Sequence, residues 1–232
     1  MNLLLTTPPL DVFEHMALDE TVVRLRAGES TLRFYNWKPG AAVTFGYAQF
    51  ISEVYREVAN RNFAGEMCRR PTGGGVVYHE GDLTFSLVFN SEEKPSEIYK
   101  QLHKSIEAAL VLSGVQTQVF TQKLPAQAYA PSQHHTANAC FVNPVENDLL
   151  LPTGQKMLGG AIRRFGTTVL YQGSLQAPDA RKNPVYKQAV IAGVRGFLNT
   201  TLHVRRVEKS WLEQARQLAV SQYKTLMWTE KF

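Results

Sequence analysis

The stretch Arg69-Arg70-Pro71-Thr72-Gly73-Gly74-Gly75-Val76-Val77-Tyr78-His79 constrains this chain more than any other. Glycine costs backbone entropy, so three in a row inside a well-patterned sequence call for a reason. The useful reason is access: without Cβ atoms, backbone N–H groups can approach a ligand and point at it. Arg69 and Arg70 put positive charge at the mouth of that loop, which suits an anionic or carbonyl-bearing ligand. The plainer alternative is a glycine-rich turn between two strands, and the glycines alone do not separate the two. Neither Gly-Lys-Ser/Thr nor Gly-x-Gly-x-x-Gly is present here, which excludes a nucleotide P-loop and a dinucleotide fingerprint.

Around this loop the pattern alternates between helix and strand. Asp11 and Glu14 form a capping-box pair that starts a helix, and Gly28 follows as a stop. Residues 31–37 and 42–46 are β-rich and flank Lys38-Pro39-Gly40, so they read as paired strands. Leu83, Phe85, Leu87 and Phe89 alternate with Thr84, Ser86 and Val88, which is the period of a strand with one face in a core. Ile98, Leu102, Ile106 and Leu110 recur every four residues, giving a helix capped at Ser96 and ended by Gly114. From Thr121 to Thr136 the pattern fails, and the segment reads as a long loop. Short strands follow at 148–151 and 169–172, around the turn Gly154-Gln155-Lys156, and a last helix runs from near Val207 to near Ser221. The fold class is therefore α/β of the α+β type, a mixed β-sheet with packed helices, with residues 1–232 as a single domain.

The excess of 25 basic over 20 acidic residues, formally +5, favours acidic partners but is too small to imply nucleic acid. No apolar run approaches the ~20 residues of a membrane helix. The first residues lack the basic flank of a secretory signal, and the two cysteines, Cys68 and Cys140, make no disulfide framework and no C-x-x-C zinc motif. The expectation is a cytoplasmic protein with both thiols free and no metal site.

Several residues could do chemistry. Cys140 follows the irregular segment, and a thiolate is a strong nucleophile when a nearby cation stabilises it. A lone cysteine is more often a small buried hydrophobe. Cys68 adjoins two arginines and is a candidate on charge grounds. Lys156 sits in a turn just before Gly159 and Gly160, the arrangement expected where backbone passes close to a ligand, and a buried lysine can act as acid or base. His79 could equally be a satisfied core histidine.

The segment from Arg69 to His79, followed by Gly81-Asp82-Leu83-Thr84-Phe85-Ser86, resembles the signature of the lipoate–protein ligase and octanoyltransferase family, whose catalytic fold is shared with biotin–protein ligases. Met16-Ala17-Leu18-Asp19-Glu20, Phe45-Gly46-Tyr47-Ala48-Gln49, Asn147-Asp148-Leu149, Gly154-Gln155-Lys156-Met157-Leu158-Gly159-Gly160-Ala161 and Tyr171-Gln172-Gly173-Ser174-Leu175 are similar to further family motifs, in the same order. The resemblance covers roughly residues 10 to 200.

The resemblance implies an acyl pocket formed by Arg70, Gly73, Gly74, Gly75, His79, Gly159, Gly160 and Gly173, with Lys156 at the acyl carbonyl. It leaves two chemistries. Ligases activate free lipoate with ATP and magnesium. Transferases take octanoyl from acyl carrier protein through a cysteine thioester, without a cofactor. Cys140-Phe141-x-x-Pro144 just before Asn147-Asp148 resembles the cysteine-containing transferases. The chain also ends before the accessory domain of large ligases would fit. Gly160 and Ile162 depart from the Ser and Gln of the usual Gly-Ser-Ala-Gln. The expected activity is octanoyl or lipoyl transfer to a lysine of a lipoyl domain, in 2-oxoacid dehydrogenases or the glycine cleavage H protein. Cys140 would be the nucleophile and Lys156 its partner. The alternatives are an ATP-dependent lipoate ligase and a non-catalytic binder of lipoyl domains or acyl groups. No nucleic acid or membrane partner is expected.

Overall fold

The computed structural model describes residues 1–122 and 144–232. In chain order the elements are β1 (Leu3–Thr6), α1 (Val12–Leu25), β2 (Thr31–Phe34), β3 (Ala42–Phe45), α2 (Ile51–Asn60), β4 (Glu66–Arg69), β5 (Val76–Tyr78), β6 (Leu83–Asn90), α3 (Pro95–Leu112) and β7 (Gln118–Val119). They continue with β8 (Leu149–Leu150), β9 (Lys156–Phe165), β10 (Thr168–Leu175), α4 (Pro184–Leu198), β11 (His203–Arg206), α5 (Lys209–Leu218), a π-helical turn (Ala219–Tyr223) and α6 (Leu226–Thr229). Eight strands form a mixed sheet in the order β11-β1-β2-β6-β10-β9-β8-β7, parallel only where β1 meets β11 and β2. β4, β3 and β5 make a second, three-stranded sheet. Among the described residues no helix is long and apolar enough to cross a membrane.

α1 begins as the sequence implies. The Asp11 carboxylate accepts from the Glu14 N–H at 2.8 Å, and the Glu14 carboxylate accepts from the Asp11 N–H at 3.0 Å. α3 buries Ile98, Leu102, Ile106 and Leu110 against one face of the large sheet, beside α4. Its first turn is opened by Pro95 after Lys94, not by a Ser96 cap. A Cβ at Gly193 would lie 2.6 Å from the Ile106 Cα, so glycine there lets α3 and α4 approach closely. α1 and the C-terminal helices cover the opposite face.

The strands depart from expectation in two ways. β2 and β3 do not pair. β2 lies between β1 and β6 in the large sheet, while β3 joins β4 and β5 in the small one. The Lys38-Pro39-Gly40 turn redirects the chain between sheets. β6 buries both of its faces. Phe85, Leu87 and Phe89 face α3 and α4, and the alternate residues Thr84 and Ser86 are buried too, on the α1 side.

Arg69 is not at the mouth of a loop. It is 0% exposed. Its guanidinium donates to the carbonyls of Tyr47 at 2.6 Å, Gln49 at 2.8 Å, Trp228 at 3.0 Å and Thr229 at 2.7 Å. It thereby ties the C-terminal residues to the turn after β3. That turn packs directly on the glycine loop. The Tyr47 N–H donates to the Thr72 carbonyl at 2.8 Å, and a Cβ on Gly46 would sit 1.9 Å from the Gly74 carbonyl oxygen. Gly74 itself has φ +90°, which favours glycine. Replacing Arg69 with Met should therefore leave several buried carbonyls without a donor. The expected loss is about 3 kcal/mol or more, read as a lower urea midpoint, with faster amide exchange at residues 226–232. A loss under about 1 kcal/mol would show that the arginine is a spectator.

Candidate active site

A cavity enclosing about 410 Å³ of atom-free space, counting its open mouth, lies between α1, the small sheet and the β9–β10 pair. Its floor follows from strand register. In the β9–β10 ladder Gly160 stands opposite Gly173, and Gly159 opposite Ser174. The missing Cβ atoms have separate reasons. At Gly160 a Cβ would fall 2.3 Å from the Tyr171 hydroxyl, and at Gly173 it would fall 2.7 Å from the Phe85 ring. On that side the glycines make room for core aromatics. On the other, their bare backbone lines the cavity. At Gly159 a Cβ would meet the Lys156 Cε at 2.3 Å, so this glycine admits the lysine side chain.

Lys156 is the first residue of β9, where a turn was expected, and is only 3% exposed. Its ammonium lies 2.8 Å from an Asp148 carboxylate oxygen, which also accepts from the Val145 N–H at 2.7 Å. Burial pushes the Asp148 carboxyl above its ordinary range, and the Lys156 ammonium offsets part of that rise. Two charges taken out of water need each other. Lys156 is therefore held in one place instead of ranging through solvent.

The opposite wall carries His79. Its Nδ1–H donates to the Asp82 carboxylate at 3.0 Å, and its Nε2 faces the Thr44 hydroxyl at 2.9 Å. Trp37 stacks on the imidazole at 4.7 Å. Asp82 also accepts from Ser174 at 2.6 Å and Thr84 at 2.7 Å. Burial alone would raise its carboxyl, but His79 and these hydroxyls outweigh it and hold the group below the usual range. Arg70 also lines the cavity, yet it is only 5% exposed, so it is not a surface charge. It donates to the Gly73 carbonyl at 2.6 Å and to the Thr44 hydroxyl at 3.4 Å. Gly73 and Gly74 are exposed and Gly75 half-buried, and none of the three is among the described residues lining the cavity.

Beneath the cavity lies a network centred on Asp19 of α1. Its carboxylate accepts from Arg33, from Tyr35, from Ser86 at 2.6 Å and from the Gln172 amide at 2.8 Å. The Gln172 carbonyl oxygen takes the Thr72 hydroxyl at 2.6 Å, which anchors the glycine loop to β10. His15 accepts from Arg33 at 2.8 Å through Nδ1 and donates to the Asn36 carbonyl at 3.1 Å through Nε2. Burial and the Arg33 charge hold it neutral, well below its ordinary pKa. Sequence reading gave no role to Thr44, Gln172 or His103. Gln172 had a signal, a polar residue set among apolar ones inside the strand that became β10, whereas Thr44 in β3 and His103 in α3 had none.

Cys68 is fully buried in the core, and burial pushes its thiol up, which disfavours a thiolate there. Cys140 lies outside the described residues. Among the described residues, no group of three or more His, Cys, Asp or Glu side chains could hold a metal ion.

His103 is buried on α3, and desolvation lowers its pKa to about 4. The unfolded chain binds a proton near pH 6.5 that the folded imidazole refuses, so stability falls as pH drops through 6.5 towards 4. Between pH 7.5 and pH 5 this histidine alone should cost about 2 kcal/mol of unfolding free energy. Urea titrations at both values should show that drop shrinking in His103→Asn. An equal drop in both proteins would contradict the assignment.

The comparisons with known proteins agree with this geometry. Residues 11–178 match the family described as the lipoyl protein ligase A/B catalytic domain. The octanoyltransferase LipM of Symbiobacterium thermophilum is 32% identical over 169 residues, which cover 70% of this chain and 60% of that protein. The chain thus spans about 60% of the length of this curated relative. Protein Ta0514 of T. acidophilum, solved with bound lipoic acid, superposes with a TM-score of 0.77 at 20% identity, covering 100% of this chain and 98% of that one. A structure of the bi-partite lipoate protein ligase and its E2 lipoyl domain from Thermoplasma acidophilum gives 0.72 at 21%, covering 99% and 95%. At such identities these likenesses speak for the fold alone. The family match over most of the chain, with the LipM identity, places it in the lipoyl protein ligase A/B catalytic-domain family.

Proposed function

We propose that this chain transfers an octanoyl or lipoyl group from acyl carrier protein to a lysine of a lipoyl domain, through a thioester on Cys140. The observation that carries the reading is the buried Lys156–Asp148 pair beside a cavity floored by glycine backbone. The LipM similarity supports octanoyl as the cargo. The Thermoplasma ligase and its E2 lipoyl domain support a lipoyl domain as the acceptor.

In the proposed reaction the Cys140 thiolate attacks the thioester carbonyl of the donor. A new C–S bond forms, the carrier thiolate leaves, and Lys156 gives it a proton. The acceptor amine then attacks the enzyme thioester. The amide forms, the Cys140 thiolate leaves, and the proton from the amine returns to Lys156. Thioester-to-amide conversion runs downhill, so no ATP is needed. The acyl chain would lie along Gly159, Gly160 and Gly173, with His79 and Arg70 on the facing wall. Backbone N–H groups beside Lys156 would hold the developing oxyanion, a donor typically worth ~3 kcal/mol. The expected setting is a reducing cytoplasm.

Cys140→Ser should abolish transfer, while Cys68→Ala, at a buried core position that does not line the cavity, should retain it. Lys156→Ala should lower kcat roughly 10²-fold or more, and Lys156→Arg should not rescue it, because arginine keeps its proton at any working pH. Assays with octanoyl carrier protein and a lipoyl domain decide this. Full activity in Cys140→Ser would remove the thioester. Near-normal rates in Lys156→Arg would reduce the lysine to a fixed charge. Turnover only with free acid, ATP and magnesium would make the chain a ligase.

A further inference from the structure

We propose that His103 and Tyr171 act as a positioning pair, which sets the Asp148–Lys156 ion pair through the backbone of Asn147; this rests on the reading of Lys156 as a catalytic group. His103 projects from α3, on the face of the sheet away from the cavity. Its Nδ1 lies 2.6 Å from the Asn147 carbonyl oxygen, and its Nε2 lies 2.7 Å from the Tyr171 hydroxyl. A carbonyl only accepts, so Nδ1 carries the proton. Nε2 is then an acceptor, and the Tyr171 hydroxyl must donate to it. Both side chains are almost wholly buried, at 1% and 0% exposed, so every link in this chain has a fixed direction in a dry setting.

The target of the pair is one peptide before the site. Asn147 has φ +75°, a left-handed value that asparagine tolerates better than most residues. Its N–H donates to the Phe120 carbonyl at 2.8 Å. Its own carbonyl is the one His103 holds. The next residue is Asp148, whose carbonyl accepts from the Phe120 N–H at 2.7 Å and whose carboxylate holds Lys156 at 2.8 Å. Asp148 is thus braced by Phe120, just after β7, on one side and, through Asn147, by α3 on the other. Releasing the Asn147 carbonyl frees the turn to rotate, and the carboxylate and ammonium move with it.

Gly160 joins this pair to the cavity wall. A Cβ there would stand 2.3 Å from the Tyr171 hydroxyl, so the hydroxyl has its place only because residue 160 is glycine. Gly160 also lines the cavity. A phenylalanine at 171 would fill the core equally well. Among the described residues the hydroxyl bonds the His103 imidazole, which points to placement of Asn147 instead of packing.

The test uses the full chain and three variants, His103→Leu, His103→Asn and Tyr171→Phe. Asparagine places an amide donor near the Nδ1 position and so can keep the bond to the Asn147 carbonyl. Transfer kinetics give kcat and KM for the carrier-protein donor. Competitive labelling with acetic anhydride, read by mass spectrometry, gives the reactivity of Lys156 against the other lysines. Misplacing a catalytic group by ~1 Å can cost ~10²-fold. The expected result is a kcat loss of that order in His103→Leu with KM little changed, and Lys156 labelled several-fold faster. His103→Asn should recover most of both effects, and Tyr171→Phe should fall between. Unchanged kcat and unchanged labelling in folded His103→Leu would overturn the proposal. So would equal losses in the Leu and Asn variants that track only the folded fraction. Altered labelling with unchanged kcat would uphold the positioning and remove the catalytic reading of Lys156. Should His103→Leu fail to fold, Tyr171→Phe against His103→Asn decides by the same readouts.

Discussion

One buried carboxylate, Asp19, fixes how the layers meet. An ionised group in the interior survives only when its charge is paired and its lone pairs are used. Asp19 meets both conditions through Arg33, Tyr35, Ser86 and Gln172, drawn from β2, the residue after it, β6 and β10. α1 is therefore locked to three neighbouring strands at one point. The same arrangement explains why the α1-facing side of the sheet is polar yet dry. Asp19 serves Ser86 and Gln172, while Asp82 serves Thr84 and Ser174. Through Gln172 and Thr72 the order reaches the glycine loop, which Arg70 then holds through the Gly73 carbonyl.

The cavity depends on what β9 and β10 leave out. Side chains on one face of these strands build the core with α3 and α4. The glycines at 160 and 173 let Tyr171 and Phe85 lie over them on that face and leave flat backbone on the other. A wall of this kind suits an acyl chain, because it offers contact without a side chain to displace. At its edge, Gly159 leaves the space into which Lys156 folds back towards Asp148. The β9–β10 register thus sets the glycine wall, and the β8–β9 pairing sets the ammonium beside it.

Local chemistry that depends on neighbours in sequence was legible. The Asp11–Glu14 capping box, the four-residue apolar repeat of α3 and the alternation of β6 are all present in the fold. Partner choice was not legible. Nothing in residues 31–46 says that β2 and β3 enter different sheets, because that is decided by β4 and β5, further along the chain. Alternation in β6 marks two faces but cannot say whether the polar one meets water or a buried carboxylate. The ordered motifs pointed to Lys156, His79 and the glycines: His79, Gly159, Gly160 and Gly173 line the cavity, Lys156 folds against Gly159 without lining it, and the triple glycine packs on Gly46. Arg69 looked like a ligand-facing charge and is spent on the C-terminal carbonyls. His103 had no local signature at all, since its role depends on Asn147 and Tyr171, both distant in sequence.

Covalent acyl transfer, served by the glycine-floored cavity and the buried ammonium, requires an acyl group carried on the enzyme itself. Intact-protein mass spectrometry tests it most directly, after the chain is mixed with octanoyl carrier protein without ATP. The expected result is one octanoyl adduct that maps to Cys140 and disappears when a lipoyl domain is added, with the octanoyl mass moving to that domain. An unmodified chain throughout, with the lipoyl domain modified only when free acid and ATP are supplied, would contradict it.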